Sequence, residues 1–429
     1  MAPKRKIQIK NQKAINIRWN KKDDDKEEIQ EDVPYKKVQP DMAVISTLVQ
    51  GSGFQRARIG AAIQGNCFPS KSTFYRHQQK LIPKIKECTS EHFERFAKET
   101  FEQNDANISI DGRYDSCRDA MYCTTATMDC RRNKVVDMQT TNKKDVNVAS
   151  NMLESAAARL SFDQIIGKWG PDCCNSITSD NDNKTPNQAK KAGLDFSRTF
   201  DPRHGFQCMS RNFAKLADKL EYDYLFSDEI ETKRVKIVSW GVYLVTNIED
   251  VELRGLMWTN SPFHMIGNHD NCSHGPLPPS HSDWELGKND ETAFKKMQNF
   301  FNKTENFIKN CDFRNNTQCN ESLNNLISML APKRLYFARS YEVRTLLAGC
   351  LYNDPHFFSS LLTDLDLIKF VPKQSLADIL SFENDREQEI FRKRTPQYRE
   401  KKKHYRKKKY SKKDPPGDYN EDKKDFSFE

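Results

Sequence analysis

Along the 429-residue chain the spacing of apolar positions changes several times, and each change marks a boundary between predicted elements. Residues 1–40 carry no periodic apolar face; they run from basic to acidic (KKDDDKEEIQED) and are expected to form a disordered lead-in. From residue 41 the period becomes helical. MAVISTLVQ predicts a short apolar helix, Gly51 and Gly53 end it, and a second short helix follows. A third begins at STFYRH after the turn at Pro69–Ser70. This spacing predicts a helix-turn-helix-like DNA-binding region over 41–104, with Ser72 capping the third helix ahead of Phe74, Tyr75, His77 and Leu81. Lys71 and Arg76 on that helix are its candidate DNA contacts in a major groove.

At Ile108 the period switches to two. ISIDG, RDAMYCTTATMD and KVVDMQTT predict a three-stranded meander. KKDVNVASNMLESAAARL places Val146, Leu153 and Leu160 at heptad spacing, which predicts one amphipathic helix. SITSD reads as a fourth strand, TPNQAKKAG as a helix with Pro186 in its first turn, and FSRTFDP as a fifth strand. The order β-β-β-α-β-α-β predicts an α/β fold over 105–204. Its mixed five-stranded sheet has strand order 3-2-1-4-5, the second strand antiparallel to its neighbours. Residues 205–318 break the pattern with helical stretches (SRNFAKLADKLEYDYLF, ETAFKKMQNFFNKTENFIKN) and a loop rich in His and Pro. Within them KRVKIVSWGVYLV fits either a strand or a buried helix. Helices return over 319–382, and residues 383–429 are polar, charged and expected to be disordered.

Composition adds constraints. A chain 36% hydrophobic with 26 Phe has material for a core. It lacks both the apolar run a membrane span needs and the apolar segment of a secretory signal, so neither a membrane nor a secreted protein is expected. The net charge of +9 is unevenly spread: residues 1–22 carry +8 and residues 392–413 carry +12, which leaves the rest of the chain at −11. The basic tail around Arg406, Lys407 and Lys408 fits phosphate binding or nuclear import as well as a solubilising end, and Tyr398, Tyr405 and Tyr410 offer rings to stack on bases. Twelve cysteines without a CxxC pair, two of them adjacent (Cys173, Cys174), read as free thiols in a nuclear or cytosolic protein.

Three acids stand where chemistry is expected. Asp111 and Asp180 end apolar strands that neighbour each other in the predicted sheet, and Glu321 opens a helix. Carboxylates are hard oxygen ligands suited to magnesium or manganese, and a pair of such ions promotes phosphodiester cleavage. Asp182, two residues past Asp180, is the alternative second acid. A second constellation, His264, His269, Cys272, His274 and His281, has donor types that suit zinc, with His269 and Cys272 the foremost candidates; contact with DNA is the other reading of that loop. Trp240, Trp258 and Trp284 fit buried anchors or stacking on a flipped base.

The motifs ISIDGRYDS, SITSDNDNKT, FDPRHGF and NESLNNLISMLAPKR, taken in order, resemble those of the Mutator-like DDE/D transposases over about residues 105–350. Kolobok-type and hAT-type transposases share much of the same architecture. The resemblance implies an RNase H-like core whose triad Asp111, Asp180 and Glu321 holds magnesium or manganese, split by a mostly helical insertion between the second acid and the glutamate. It also implies that Asp201 and His204 form the acid-then-histidine motif that follows the fifth strand. Lys333 and Arg344 match the Pro-Lys and Arg that follow the glutamate and are carried over as DNA contacts. The expected activity is cutting of transposon ends and joining to target DNA by a nuclear homo-oligomer. The alternatives are a domesticated, sequence-specific DNA-binding protein without catalysis and a structure-specific nuclease of the same fold.

Overall fold

The computed structural model describes residues 36–180, 183–219, 230–265, 268 and 291–411. Lys36–Lys37 pairs in parallel with Asn66–Cys67, and the same region holds three helices: α1 (Pro40–Val49), α2 (Phe54–Ile63) and α3 (Lys71–Phe101). Five strands then form one sheet: β1 (Ala106–Tyr114), β2 (Tyr122–Asp129), β3 (Lys134–Asn142), β4 (Cys174–Ser179) and β5 (Ser197–Phe200). Their order is 3-2-1-4-5, with β2 antiparallel to both neighbours and β1, β4 and β5 mutually parallel, as the alternation and connection lengths predict.

The sheet is covered on both faces because its central strands alternate. Ala106, Ile108 and Ile110 point to one face and pack against Ala158, Phe162 and Ile165 of α4 (Leu153–Trp169), with α5 (Lys184–Ala192) alongside. On the other face Ala126, Met128 and Met138 meet Leu323 and Ile327 of α11 (Gln318–Leu330) and Leu347 and Leu351 of α12 (Tyr341–Asn353). Burial of this kind stabilises by about 25 cal/mol per Å² of apolar surface, so both layers are needed to hold the sheet.

Between β5 and α11 lies a helical insertion: α6 (Pro202–Lys219), α7 (Ile230–Asn247), α8 (Val251–Thr259), α9 (Ser261–Met265) and α10 (Glu291–Asn310). It has its own core, in which Phe206, Phe213, Ile237, Leu244, Trp258 and Phe301 meet. The ambiguous KRVKIVSWGVYLV segment is therefore a helix: its apolar side chains recur on one face and are met by other helices rather than by strand edges. Trp258 is buried and donates to the Phe301 carbonyl, and the Trp240 indole N–H donates to Ser261 Oγ, so these two tryptophans serve as packing anchors. Trp284 lies outside the described residues. A parallel bridge between Phe200 and Cys311 returns the chain to the edge of the sheet.

Four sequence expectations are corrected. First, α3 runs on for 31 residues, through Pro83. Its first half packs Phe74, Leu81 and Ile85 with Val44 and Leu48, while Phe93, Ala97 and Phe101 lie on the sheet, so no break in the core occurs at 104. The cap of α3 is Ser70, whose Oγ accepts from the Thr73 N–H, and not Ser72. Second, the heptad Val146–Leu153–Leu160 is not one helix face. A single turn at Lys143–Val146 ends at Asn147 in the left-handed region (φ 47°), α4 starts at Leu153, and Leu160 is exposed. Third, the C-terminal region is not disordered from 383: α14 (Lys373–Arg394) and α15 (Pro396–Ser411) continue to 411 after α13 (Phe357–Asp364). Residues of high helix propensity dominate this stretch. Fully buried Glu383 accepts from the Ser359 N–H, and Arg386 donates to the Leu351 carbonyl, which anchors α14 to the core. Fourth, the lead-in expected to extend to residue 40 gives way earlier, to the pairing at Lys36–Lys37 and to α1 from Pro40.

Gly51 shows how tightly the N-terminal helices are joined to this core. It has φ +61°, and a Cβ there would lie 1.8 Å from the Met329 carbonyl oxygen at the end of α11, so both the turn and the close approach require glycine. No helix among the described residues is long and apolar enough to cross a membrane.

Candidate active site

The ends of the three parallel strands converge. Ser109 of β1 is in register with Thr178 of β4, so Asp111 and Asp180, each two residues further on, emerge side by side. Ser179 is in register with Phe200 of β5, which sets Asp201 next to them in sequence order, its N–H donating to the Ser179 carbonyl. Asp111 is held in place by its own neighbours: its carboxylate accepts from the Gly112 N–H at 2.9 Å and from Asn324 Nδ2 at 2.8 Å. Desolvation, then the charges of Asp180 and Glu154, push the Asp111 carboxyl up to about 7, and those two hydrogen bonds only partly offset the rise. Three carboxylates of like charge thus act on one another at this edge of the sheet.

Glu154 was missed from the sequence. It sits in the first turn of α4, and Tyr114 Oη donates to its Oε2 at 3.2 Å. A signal was present in Gly112, directly after Asp111. A Cβ at Gly112 would lie 2.4 Å from Glu154 Cγ, so the glycine leaves the space in which this carboxylate approaches Asp111.

Glu321 is delivered by a latch built on Asp201. The Asp201 side chain is buried and accepts three hydrogen bonds: from the His204 N–H in the first turn of α6 (2.8 Å), and from the N–H (2.7 Å) and Oγ1 (2.8 Å) of Thr317, the residue preceding α11. One carboxylate thus caps α6 and holds the start of α11 against it. As a result Glu321 faces the first turn of α6, where it pairs with Arg203 and lies 3.2 Å from His204 Nε2. Asn320, fully buried, pins α11 to the sheet by accepting from Ser109 Oγ and donating to the Ala126 carbonyl. Replacing Asp201 with Ala is expected to cost about 2–4 kcal/mol, because three donors lose their acceptor, two of them buried. Urea unfolding measures this loss; a change within a few tenths of a kcal/mol would show that the latch does not hold α6 to α11.

The structure therefore brings Asp111 and Asp180 together and adds Glu154. It places Glu321 one helical turn before Asn324, the residue that touches Asp111, with its carboxylate engaged by Arg203 and His204. Among the described residues no three His, Cys, Asp or Glu side chains stand close enough to hold a metal ion together. Asp182, His269 and Cys272 lie outside the described residues, as do His274 and His281. Of the predicted DNA contacts, Lys71, Arg76 and Lys333 are exposed, and the side chains of Arg406, Lys407 and Lys408, on α15, lie outside the description.

Arg344 is corrected. It is 2% exposed, and its guanidinium donates to the carbonyls of Leu48, Leu330 and Ser52 and to Ser340 Oγ, above the Phe337 ring at 4.0 Å. Burial lowers its pKa to about 10, and it has no surface to offer a phosphate. Its role is to tie the α1–α2 connection to the end of α11. Sequence position alone does not separate such an arginine from a surface one. The described cysteines are free thiols, with Cys173 and Cys174 Sγ 3.8 Å apart.

No protein-family model matches the chain, and no curated protein sequence matches it.

Proposed function

We propose that the protein is a metal-dependent DNA transposase of the Mutator-like kind with an RNase H-like core, which cuts DNA at element ends and joins the freed ends to target DNA. The observation that carries this reading is the pairing of Asp111 with Asp180 at adjacent parallel strand ends, where burial, and after it the charges of Asp180 and Glu154, pushes the Asp111 carboxyl up to about 7. Carboxylate oxygens at adjacent strand ends are hard donors of the kind that suits a divalent cation of the magnesium or manganese type. Asp111 and Asp180 would hold it, joined by Glu321 when that carboxylate is released from Arg203. When bound, such ions supply the positive charge that activates an attacking oxygen and stabilises a leaving one.

The chain's own groups do the rest. Asn324 orients one oxygen of Asp111, and the Asp201 latch keeps Glu321 at the same edge of the sheet. His204 stands with its Nε2 3.2 Å from Glu321 Oε1 and is proposed to hold that carboxylate in place. The exposed cations Lys71, Arg76 and Lys333 are proposed to contact the duplex, the first two from a helix-turn-helix-like N-terminal region, and localisation is proposed to be nuclear.

Incubation with Mg²⁺ and DNA from the flanks of the protein's own gene tests the reading: nicks ending in a free 3′-hydroxyl are expected. Their absence at every divalent cation tried, with the DNA still bound, would replace it with a second reading. In that reading the protein is a domesticated, transposase-derived DNA-binding protein without catalysis, which the engagement of Glu321 by Arg203 and His204 favours.

A further inference from the structure

Of the three N-terminal helices, α2 alone contributes almost nothing to the core: Phe54 is its one buried residue. Ile59 is 59% exposed and Ile63 82%, and a Cβ added at Gly60 would meet nothing within 4 Å among the described residues. Arg56 and Arg58 are exposed and have no ion-pair partner among the described residues. The surrounding sequence is one-sided: from Met42 to Lys86 there are seven Lys and Arg and no acid. Across a cleft of about 430 Å³, the first turn of α2 faces the Leu335–Ser340 loop, whose exposed Arg339, with Lys333 and Arg334 just before it, extends the same charge. By contrast, the first half of α3 buries Phe74, Gln78, Leu81 and Ile85.

From this we infer that the helix which enters a groove of duplex DNA is α2, through Arg56 on the same face as Ile59 and Ile63, with Arg58 on the flank and the Lys333–Arg339 loop holding the adjacent phosphates. A solvated helix gains nothing from two isoleucines at 59% and 82% exposure, whereas a helix in the major groove places apolar side chains against thymine methyls and arginines against guanine edges. The absence of acid over this stretch selects a polyanion rather than a mixed-charge protein surface. The inference rests on the reading that the protein acts on DNA, but not on its being an enzyme.

The test is binding of the full chain to a labelled mixed-sequence duplex, with EDTA present so that no cutting occurs. Arg56→Ala/Arg58→Ala is expected to lower affinity by about tenfold or more and to flatten its dependence on salt, with an unchanged circular dichroism spectrum. Lys295→Ala/Lys296→Ala on α10 is expected to bind like the wild type. Arg56→Lys/Arg58→Lys is expected to keep the salt dependence and lose the preference for particular sequences in selection from a random duplex pool, because lysine cannot make the bidentate contact. Wild-type affinity in the double alanine variant, or no binding by the wild-type protein, overturns the inference. Loss of binding in that variant alongside a wild-type protein that never cuts leaves the inference standing and removes only the catalytic reading.

Discussion

Asp111→Asn is expected to abolish Mg²⁺-dependent cutting, by at least about a hundredfold, while raising the stability of the metal-free protein. Both effects have one cause. The wild-type carboxyl is forced up to about 7 by burial and by Asp180 and Glu154, so the folded state holds its proton more tightly than the unfolded chain does. The sign follows: this group's contribution is most favourable below about pH 4 and is lost as the pH rises toward 7, where the folded protein must carry an ill-solvated charge beside two others. Asparagine keeps an oxygen for the Gly112 N–H, presents its amide NH2 to Asn324, whose own amide can turn to accept from it, and removes the charge. The stability gain at neutral pH is about 1–2 kcal/mol once partial solvent exposure is discounted, and it shrinks toward pH 4. Thermal unfolding in EDTA across that range measures it. Mg²⁺ is expected to raise the melting temperature of the wild type and not of Asp111→Asn. Full cutting activity in Asp111→Asn, or equally in Asp180→Ala or Glu321→Gln, would sink the proposed mechanism.

The second large effect is purely structural. Arg344→Ala is expected to destabilise the protein by about 3 kcal/mol, because the carbonyls of Leu48, Leu330 and Ser52 lose a common donor in a site too buried for water to replace it fully. Arg344→Lys is expected to recover little, since a single ammonium cannot span three acceptors and cover the Phe337 ring. Urea unfolding of both variants measures the loss. If Arg344 acted by contacting DNA, its removal would weaken DNA binding at unchanged stability; the expected result is the reverse.

The two predictions mark the difference between what can be read along the chain and what cannot. The alternation in ISID and SITS and the turn at CRRN mark strands along the chain, and connection length separates the antiparallel trio from the two parallel strands; the observed order 3-2-1-4-5 is the expected one. The same pattern places Asp111 and Asp180 at strand ends, and neighbouring strand ends in register are necessarily close. Other features depend on partners far apart in sequence. KRVKIVSWGVYLV is a helix because Phe206, Trp258 and Phe301 surround it. Residues 383–394 are ordered by Ser359 and Leu351, while their composition alone points to disorder. Glu154 approaches Asp111 because α4 begins only at Leu153, past the left-handed turn at Asn147. Arg344 faces inward because two helix ends and the turn at Ser52 offer it carbonyls. Periodicity reports which side of an element is apolar, a property each residue carries by itself. The burial of a charge, and the company a carboxylate keeps, are properties of pairs, and only the tertiary structure decides which pairs meet.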